Sequence, residues 1–427
     1  MKSRLVALIA SISVLVSVGL PANAVPSEPA YVAVNSSALW DKGFLGEGAT
    51  IAMIDQGVNL THPYFQGRII DGFCYVENTS SYLCPDGTRQ QSGVEAASQR
   101  KIGSLFVASE DHGNMVAGIV AGNRTNEAPG GIAPEANILM ANVDMTLEGI
   151  LSALRYINLR KDQLNIVALS MSWGGYFEEV PREWLRCEEN PQLREMSDLL
   201  KSLREGGVMP FASAGNTPAL SVSSLVFPSC LQSAIAVSSV DYAGQVAWYA
   251  TMSDKVEILA PDYMLSASTF SYIQASGTSA AAPLAAGSYA LLRQAFPDHT
   301  AEQVLSAMKV AGKPIDDVIR KDIPMVDLQA SYNLLINTEP GGVIVQPANP
   351  DQVLNVGTFN GKIVVYAKGH KGSTLSWKIA GKWQKVTVTE DFQAFDRPTA
   401  AIGLTVQIDL FLNGETPAAF SKTVVTK

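Results

Sequence analysis

The sequence alternates between short β-prone runs and stretches of helical spacing, and this alternation constrains the fold more than any other feature. The runs are Thr50–Ile54, Ile138–Val143, Ile166–Met171, Val208–Ser213, Ala234–Val240 and Val256–Leu259. They are nearly continuous in apolar character, as strands covered on both faces should be. Between them, Leu147, Ile150, Leu151, Leu154 and Ile157 follow a 3-and-4 spacing, and Met196, Leu199, Leu200 and Leu203 repeat it before Gly206-Gly207. Thr300 with Gln303 matches a capping box ahead of a helix through Ala311. Val34–Gly43 reads as an opening helix. The expected class is α/β, a mostly parallel sheet flanked by helices. In such sheets ligands bind outside the carboxyl ends of the strands.

After Asn337 the texture changes. Thr338-Glu339-Pro340-Gly341-Gly342 reads as a linker. Beyond it, Lys362–Ala367, Leu375–Ile379, Val386–Thr389, Leu404–Leu412 and Lys422–Thr426 are rich in β-formers. Asn360-Gly361 and Asn413-Gly414 are turn signals between them. Residues 341–427 are therefore expected to form a small all-β, sandwich-like domain.

At the other end, Lys2 and Arg4 precede an apolar run from Leu5 to Leu20, and Pro21-Ala22-Asn23-Ala24 offers small residues for an A-x-A cleavage. Residues 1–24 read as a secretory signal peptide, since the run is short for a membrane span. The expected organisation is signal 1–24, a main domain 25–337 and the β-domain 341–427. The expected location is extracellular or periplasmic, with no membrane partner after cleavage. In an oxidising compartment four cysteines can make two staples. Cys74 and Cys84, ten positions apart in a loop-like stretch, can close locally, which would leave Cys187 and Cys230 as the other pair, although four cysteines allow three connectivities. No C-x-x-C or H-x-x-x-H spacing suggests zinc. Hydrophobic residues at 47 % and charged residues at 17 % exclude a wholly disordered chain, and the net charge of −9 argues against nucleic acid as a partner.

Four segments carry chemistry. An Asp closes the apolar run Thr50-Ile51-Ala52-Met53-Ile54-Asp55 and is followed by Gln56-Gly57. His112 heads the small-residue run Gly113-Asn114-Met115-Val116-Ala117-Gly118. Asn216 follows Ala212-Ser213-Ala214-Gly215. Ser279 lies in Ser276-Gly277-Thr278-Ser279-Ala280-Ala281-Ala282-Pro283, entering an Ala-rich helix. Each alone has a bland reading as a cap or turn residue. Together they supply a serine nucleophile, a base to activate it, a carboxylate to hold that base, and amide donors for an oxyanion.

In the order Asp, His, Asn, Ser, these segments resemble the subtilisin-like serine proteases, over roughly Tyr31 to Asn337. The resemblance implies a subtilisin-like sheet, with Asp55 orienting, His112 as general base and acid, Ser279 as nucleophile and Asn216 in the oxyanion hole. It implies that Ser172, Trp173 and Gly174 pair with the substrate backbone and wall a pocket, with Ala214 and Gly215 opposite. No cofactor is required for such chemistry. The partners implied are protein or peptide substrates. The expected function is a secreted serine endopeptidase acting through an acyl-enzyme. The alternative is a catalytically silent binding or adhesion protein on the same fold.

Several positions depart from the family's pattern. Met115 replaces a second His. Tyr64 stands where many members carry an Asp that helps bind calcium, so a structural calcium is left open but is not expected. The 57-residue gap from Asp55 to His112 suggests an insertion near the cleft. Between Ala24 and Val34 there is no room for the family's usual propeptide, so the expectation is that this member folds without one, that a folding helper takes its place, or that the chain is no longer an active protease. Acidic Tyr176–Asn190 reads first as a solvated helix face, and as a cleft border favouring basic substrates in the alternative. His62 reads as structural, His299 as exposed, Asp111 as outside the triad, and Trp173 and Trp248 as packing residues.

Overall fold

The computed structural model describes residues 28–77, 83–99, 111–177, 187–217, 225–253, 255–317, 321–346, 353–359, 362–379, 382–388, 394–398, 405–414 and 418–425, with short pieces at 5–7, 101–102 and 105–106. Of the expected signal segment only Leu5–Ala7 is described, paired antiparallel with Gly175–Phe177. Most of the acidic stretch after Phe177, and the Asn360-Gly361 turn, lie outside the described residues.

A ten-stranded sheet forms the centre. Its order is Lys313–Ile315, Ile323–Met325, Val256–Pro261, Ile235–Val240, Met209–Ser213, Ile166–Met171, Thr50–Asp55, Asn137–Val143, Ile69–Tyr75 and Gln90–Ser92. The two edge strands run antiparallel and the rest are parallel. Thr50–Asp55, Ile166–Met171, Met209–Ser213 and Ile235–Val240 are buried at every residue. Alternate side chains feed opposite layers. Ile51 and Met53 join one core with the helices Asp111–Ala121 and Thr278–Ala295, while Ala52 and Ile54 join another with Leu147–Arg160 and Arg194–Glu205. Both faces being covered is why these strands read as unbroken apolar runs.

The Thr278–Ala295 helix crosses beneath the sheet almost wholly buried, which its Ala, Gly and Ser residues permit by letting backbones approach closely. The first strand in sequence, Thr50–Asp55, sits between Asn137–Val143 and Ile166–Met171, so the chain builds outward from it in both directions. Asp55 therefore stands at the carboxyl end of the strand where the winding reverses.

Three expectations need correction. The opening helix is two short ones, Pro29–Ala33 and Ser37–Trp40, broken where Asn35 takes φ 56°. Cys74 lies in the Ile69–Tyr75 strand, not in a loop. Its sulfur is bonded to that of Cys84, and Cys187 is bonded to Cys230, each pair with Cα atoms 5.8 Å apart. His299 is buried, its Nε2 2.7 Å from the Thr338 carbonyl oxygen.

The C-terminal strands form separate antiparallel sheets, Val353–Phe359, Lys362–Lys368 and Ala394–Pro398 in one, and Lys382–Thr387, Thr374–Ile379, Thr405–Leu412 and Phe420–Val425 in the other. They enclose a small core around Trp377, Leu375, Val365 and Leu410. The preceding segment is tied down. Gln303 donates to the Glu339 and Gly342 carbonyls at 3.1 and 2.8 Å and accepts from the Gly341 N–H at 2.9 Å. It also completes the expected capping box with Thr300.

Candidate active site

The geometry begins at the end of the first strand. Asp55 is 1 % exposed and accepts the N–H of Gln56 at 2.8 Å. Its two carboxylate oxygens lie 2.8 and 3.0 Å from His112 Nδ1. His112 occupies the first turn of the Asp111–Ala121 helix. Gly113 explains how that helix comes so close, because a Cβ there would fall 2.1 Å from the Gln56 carbonyl oxygen. Burial pushes the imidazole down, but the charge of Asp55 and its hydrogen bond outweigh burial, and the net shift is upward. Among the described residues, His112 Nε2 has no hydrogen-bond partner.

Ser279 lies at the start of the buried helix. Its hydroxyl donates to the Ser172 carbonyl at 2.9 Å rather than to His112, and the Ser172 hydroxyl donates back to the Ser279 carbonyl at 2.8 Å. The second bond has a cause in the sequence. Pro283, four residues on, has no N–H to give the Ser279 carbonyl, so a side chain supplies the missing donor.

Asn216 is oriented by its neighbours. Its Oδ1 accepts both the backbone N–H and the hydroxyl of Thr278 at 2.9 Å, which leaves Nδ2 as the outward donor. The Thr278 hydroxyl in turn accepts the Gly215 N–H at 3.2 Å. Thr278 is thus a residue of the candidate site that the sequence concealed, since nothing marks a Thr as the clamp of a distant Asn.

The segments expected to wall a pocket lie close to one another. The Trp173 ring is buried and its Nε1 donates to the Ile54 carbonyl at 2.8 Å, tying this segment to the Asp55 strand. Ala214 is buried and donates its N–H to Val237. Between the walls stands Val226. A Cβ on Gly174 would fall 2.1 Å from Val226 Cγ2, and one on Gly215 would fall 3.5 Å from the same methyl. One apolar side chain therefore fills the space between both glycines.

Other candidates resolve in detail. Asp111 turns away from His112 and accepts the N–H of Thr269 at 2.7 Å as well as its hydroxyl. His62 caps a short turn, accepting the Tyr64 N–H at 3.2 Å, and burial lowers its basicity. Tyr64 is buried and its hydroxyl accepts the Gly130 N–H at 3.0 Å. Met115 is partly buried against the main core. Trp248 departs from the packing expectation, being 65 % exposed. Glu188, in the described end of the acidic stretch, accepts from the Ser197 hydroxyl and the Gln232 N–H. Among the described residues, no group of three or more His, Cys, Asp or Glu side chains is placed to hold a metal.

Comparison with known proteins decides the family. Residues 46–320, well over half of the chain, match the model of the subtilase family. The chain belongs to that family. This subtilase is 26 % identical over 302 residues to the major intracellular serine protease of Bacillus subtilis (strain 168), covering 68 % of this chain and 81 % of that protein. It is 29 % identical to thermitase of Thermoactinomyces vulgaris over 253 residues, covering 58 % of this chain and 75 % of thermitase. It is 28 % identical to the minor extracellular protease Epr of Bacillus subtilis (strain 168) over 278 residues, covering 63 % of this chain but 36 % of Epr. Among solved structures, the prenylagaramide maturation protease PagA shares the fold, with a TM-score of 0.52 and 19 % identity over 70 % of this chain and 98 % of that one. The subtilase is a serine-type endopeptidase whose relatives include intracellular and extracellular members.

Proposed function

We propose that this subtilase is a secreted endopeptidase that cleaves peptide bonds through an acyl-enzyme on Ser279. The observation that carries this reading is the Asp55–His112 pair, with Nδ1 held by the carboxylate and Nε2 left unpartnered. That arrangement fixes the imidazole tautomer and keeps its second nitrogen for a proton. Rotation of the Ser279 hydroxyl off Ser172 presents it to Nε2. As Oγ attacks the substrate carbonyl, its proton passes to His112. Negative charge develops on the carbonyl oxygen, and Asn216 Nδ2 and the Ser279 N–H at the helix start receive it. His112 then protonates the leaving amine, the C–N bond breaks, and water attacks the ester with His112 again as base.

The substrate backbone adds as a strand beside Ser172–Gly174, with its side chain directed between that wall and Ala214–Gly215. Export is supported by the pattern of residues 1–24 and by two cysteine pairs suited to an oxidising compartment. The test is labelling with a fluorophosphonate probe. The mature protein should label at Ser279, and Ser279→Ala should lose both labelling and casein cleavage. A folded sample that does not label would favour a silent binding protein on the subtilase fold.

A further inference from the structure

Behind the nucleophile turn, three distant segments meet at one phenol. Tyr249 lies in the connection between the strands Ile235–Val240 and Val256–Pro261. Its hydroxyl donates to Asp262, the residue directly after the second strand, and accepts the N–H of Gly277 at 2.9 Å. Asp262 is 4 % exposed. Gly277 caps the Thr278–Ala295 helix with φ 95°, in the region that favours glycine, and has no side chain with which to cap it. A Cβ at Gly277 would fall 2.9 Å from Asn216 Nδ2, so the turn and the oxyanion donor touch. Neither Tyr249 nor Asp262 has a part in the steps above.

We propose that Tyr249, oriented by Asp262, is a positioning residue for the nucleophile turn. This rests on the reading of Ser279 and Asn216 given above. The turn is gripped on two sides. Asn216 takes the Thr278 N–H, and Tyr249 takes the Gly277 N–H one residue earlier. The phenol suits the task because its proton is committed to a carboxylate, which aims its lone pair at Gly277. A water in the same place could reorient. Burial, and then the charge of Asp262, raise the affinity of Tyr249 for its proton, so the phenol remains the donor of the pair. Without the hydroxyl, the Gly277 N–H and a buried carboxylate both lose a partner, and Gly277 can relax toward Asn216.

The experiment uses the full chain with Tyr249→Phe, Asp262→Asn and Asp262→Leu, alone and combined with Asn216→Ala. Tyr249→Phe should lower kcat by about tenfold or more while KM changes by less than about twofold, as misplacement of reacting groups does. Fluorophosphonate labelling of Ser279 should slow by the same factor. The loss should largely vanish on an Asn216→Ala background, because both act through one turn. Asp262→Asn keeps an acceptor and should retain most activity, while Asp262→Leu should reproduce the Tyr249→Phe defect. Unchanged kcat and labelling in Tyr249→Phe, or losses fully additive with Asn216→Ala, would overturn the proposal. If Tyr249→Phe does not fold, wild-type kcat in Asp262→Leu overturns it and a lowered kcat supports it. Failure of the wild-type protein to label at Ser279 strikes the underlying reading instead.

Discussion

His112 is set by a contest between burial and charge, and the charge wins. The sign has two consequences. Activity requires the neutral imidazole, so the acidic limb of kcat/KM should have its midpoint above the ordinary histidine value of about 6.5. Stability runs the other way. A raised folded value means the ion pair stabilises fully below about 6.5 and its contribution fades as pH climbs through the folded value. A pH–rate profile checks the first point, and a limb at or below 6.5 would contradict it. A second residue, Val226, is expected to set selectivity. Because Val226 fills the space between Gly174 and Gly215, small and medium apolar side chains should be preferred before the scissile bond. Val226→Gly should shift kcat/KM toward Phe and Tyr by about tenfold or more, the scale of a few methylenes in a pocket. Matched peptide substrates would show it, and an unchanged ranking would exclude Val226 as the determinant.

At the scale of elements, the His112 helix rests directly on the backbone that follows Asp55. Gly113→Ala places a methyl against the Gln56 carbonyl. Backbone cannot yield as a side chain can, so the helix should shift and take His112 with it. The expected result is a fall in kcat of about 10²-fold, the usual effect of a displacement near 1 Å. Kinetics beside thermal melting would check it, and full activity would mean that the helix adapts. What was legible in the sequence follows the same physics. Thr50–Asp55 and Ile166–Met171 announced themselves because both faces are covered. The Ile69–Tyr75 strand did not, because Asp71 and Gly72 interrupt its apolar run. Asp71 is buried there with the help of the Gly72 N–H and of Tyr156 and Arg160, the last two bonded to it at 2.9 Å from a helix far along the chain. Motif spacing pointed to Asp55, His112, Asn216 and Ser279, whereas Thr278, Val226 and Tyr249 matter through partners that only folding brings near. Trp248 was misjudged because an aromatic residue between two strands carries no local sign of which way it faces.

For the whole molecule, the passage from the main sheet to the C-terminal sheets is gripped rather than loose. Gln303 holds three linker groups and His299 a fourth. Gln303→Ala should destabilise the main sheet's unit by about 1–3 kcal/mol, since it also removes half of a capping box. It should also speed protease nicking between residues 338 and 346. Denaturant melts and limited proteolysis measure both, and an equally resistant linker would show that Gln303 does not anchor it. The order of the main sheet has a further consequence. Asp55 is laid down on the first central strand, yet its neighbours on either side, and the helix bearing Ser279, come much later in the chain. Long-range pairings of this kind form late, after loop closure has been overcome. A partly folded polypeptide therefore holds the parts of a protease without being one. The cutting edge is assembled only when these distant segments have met.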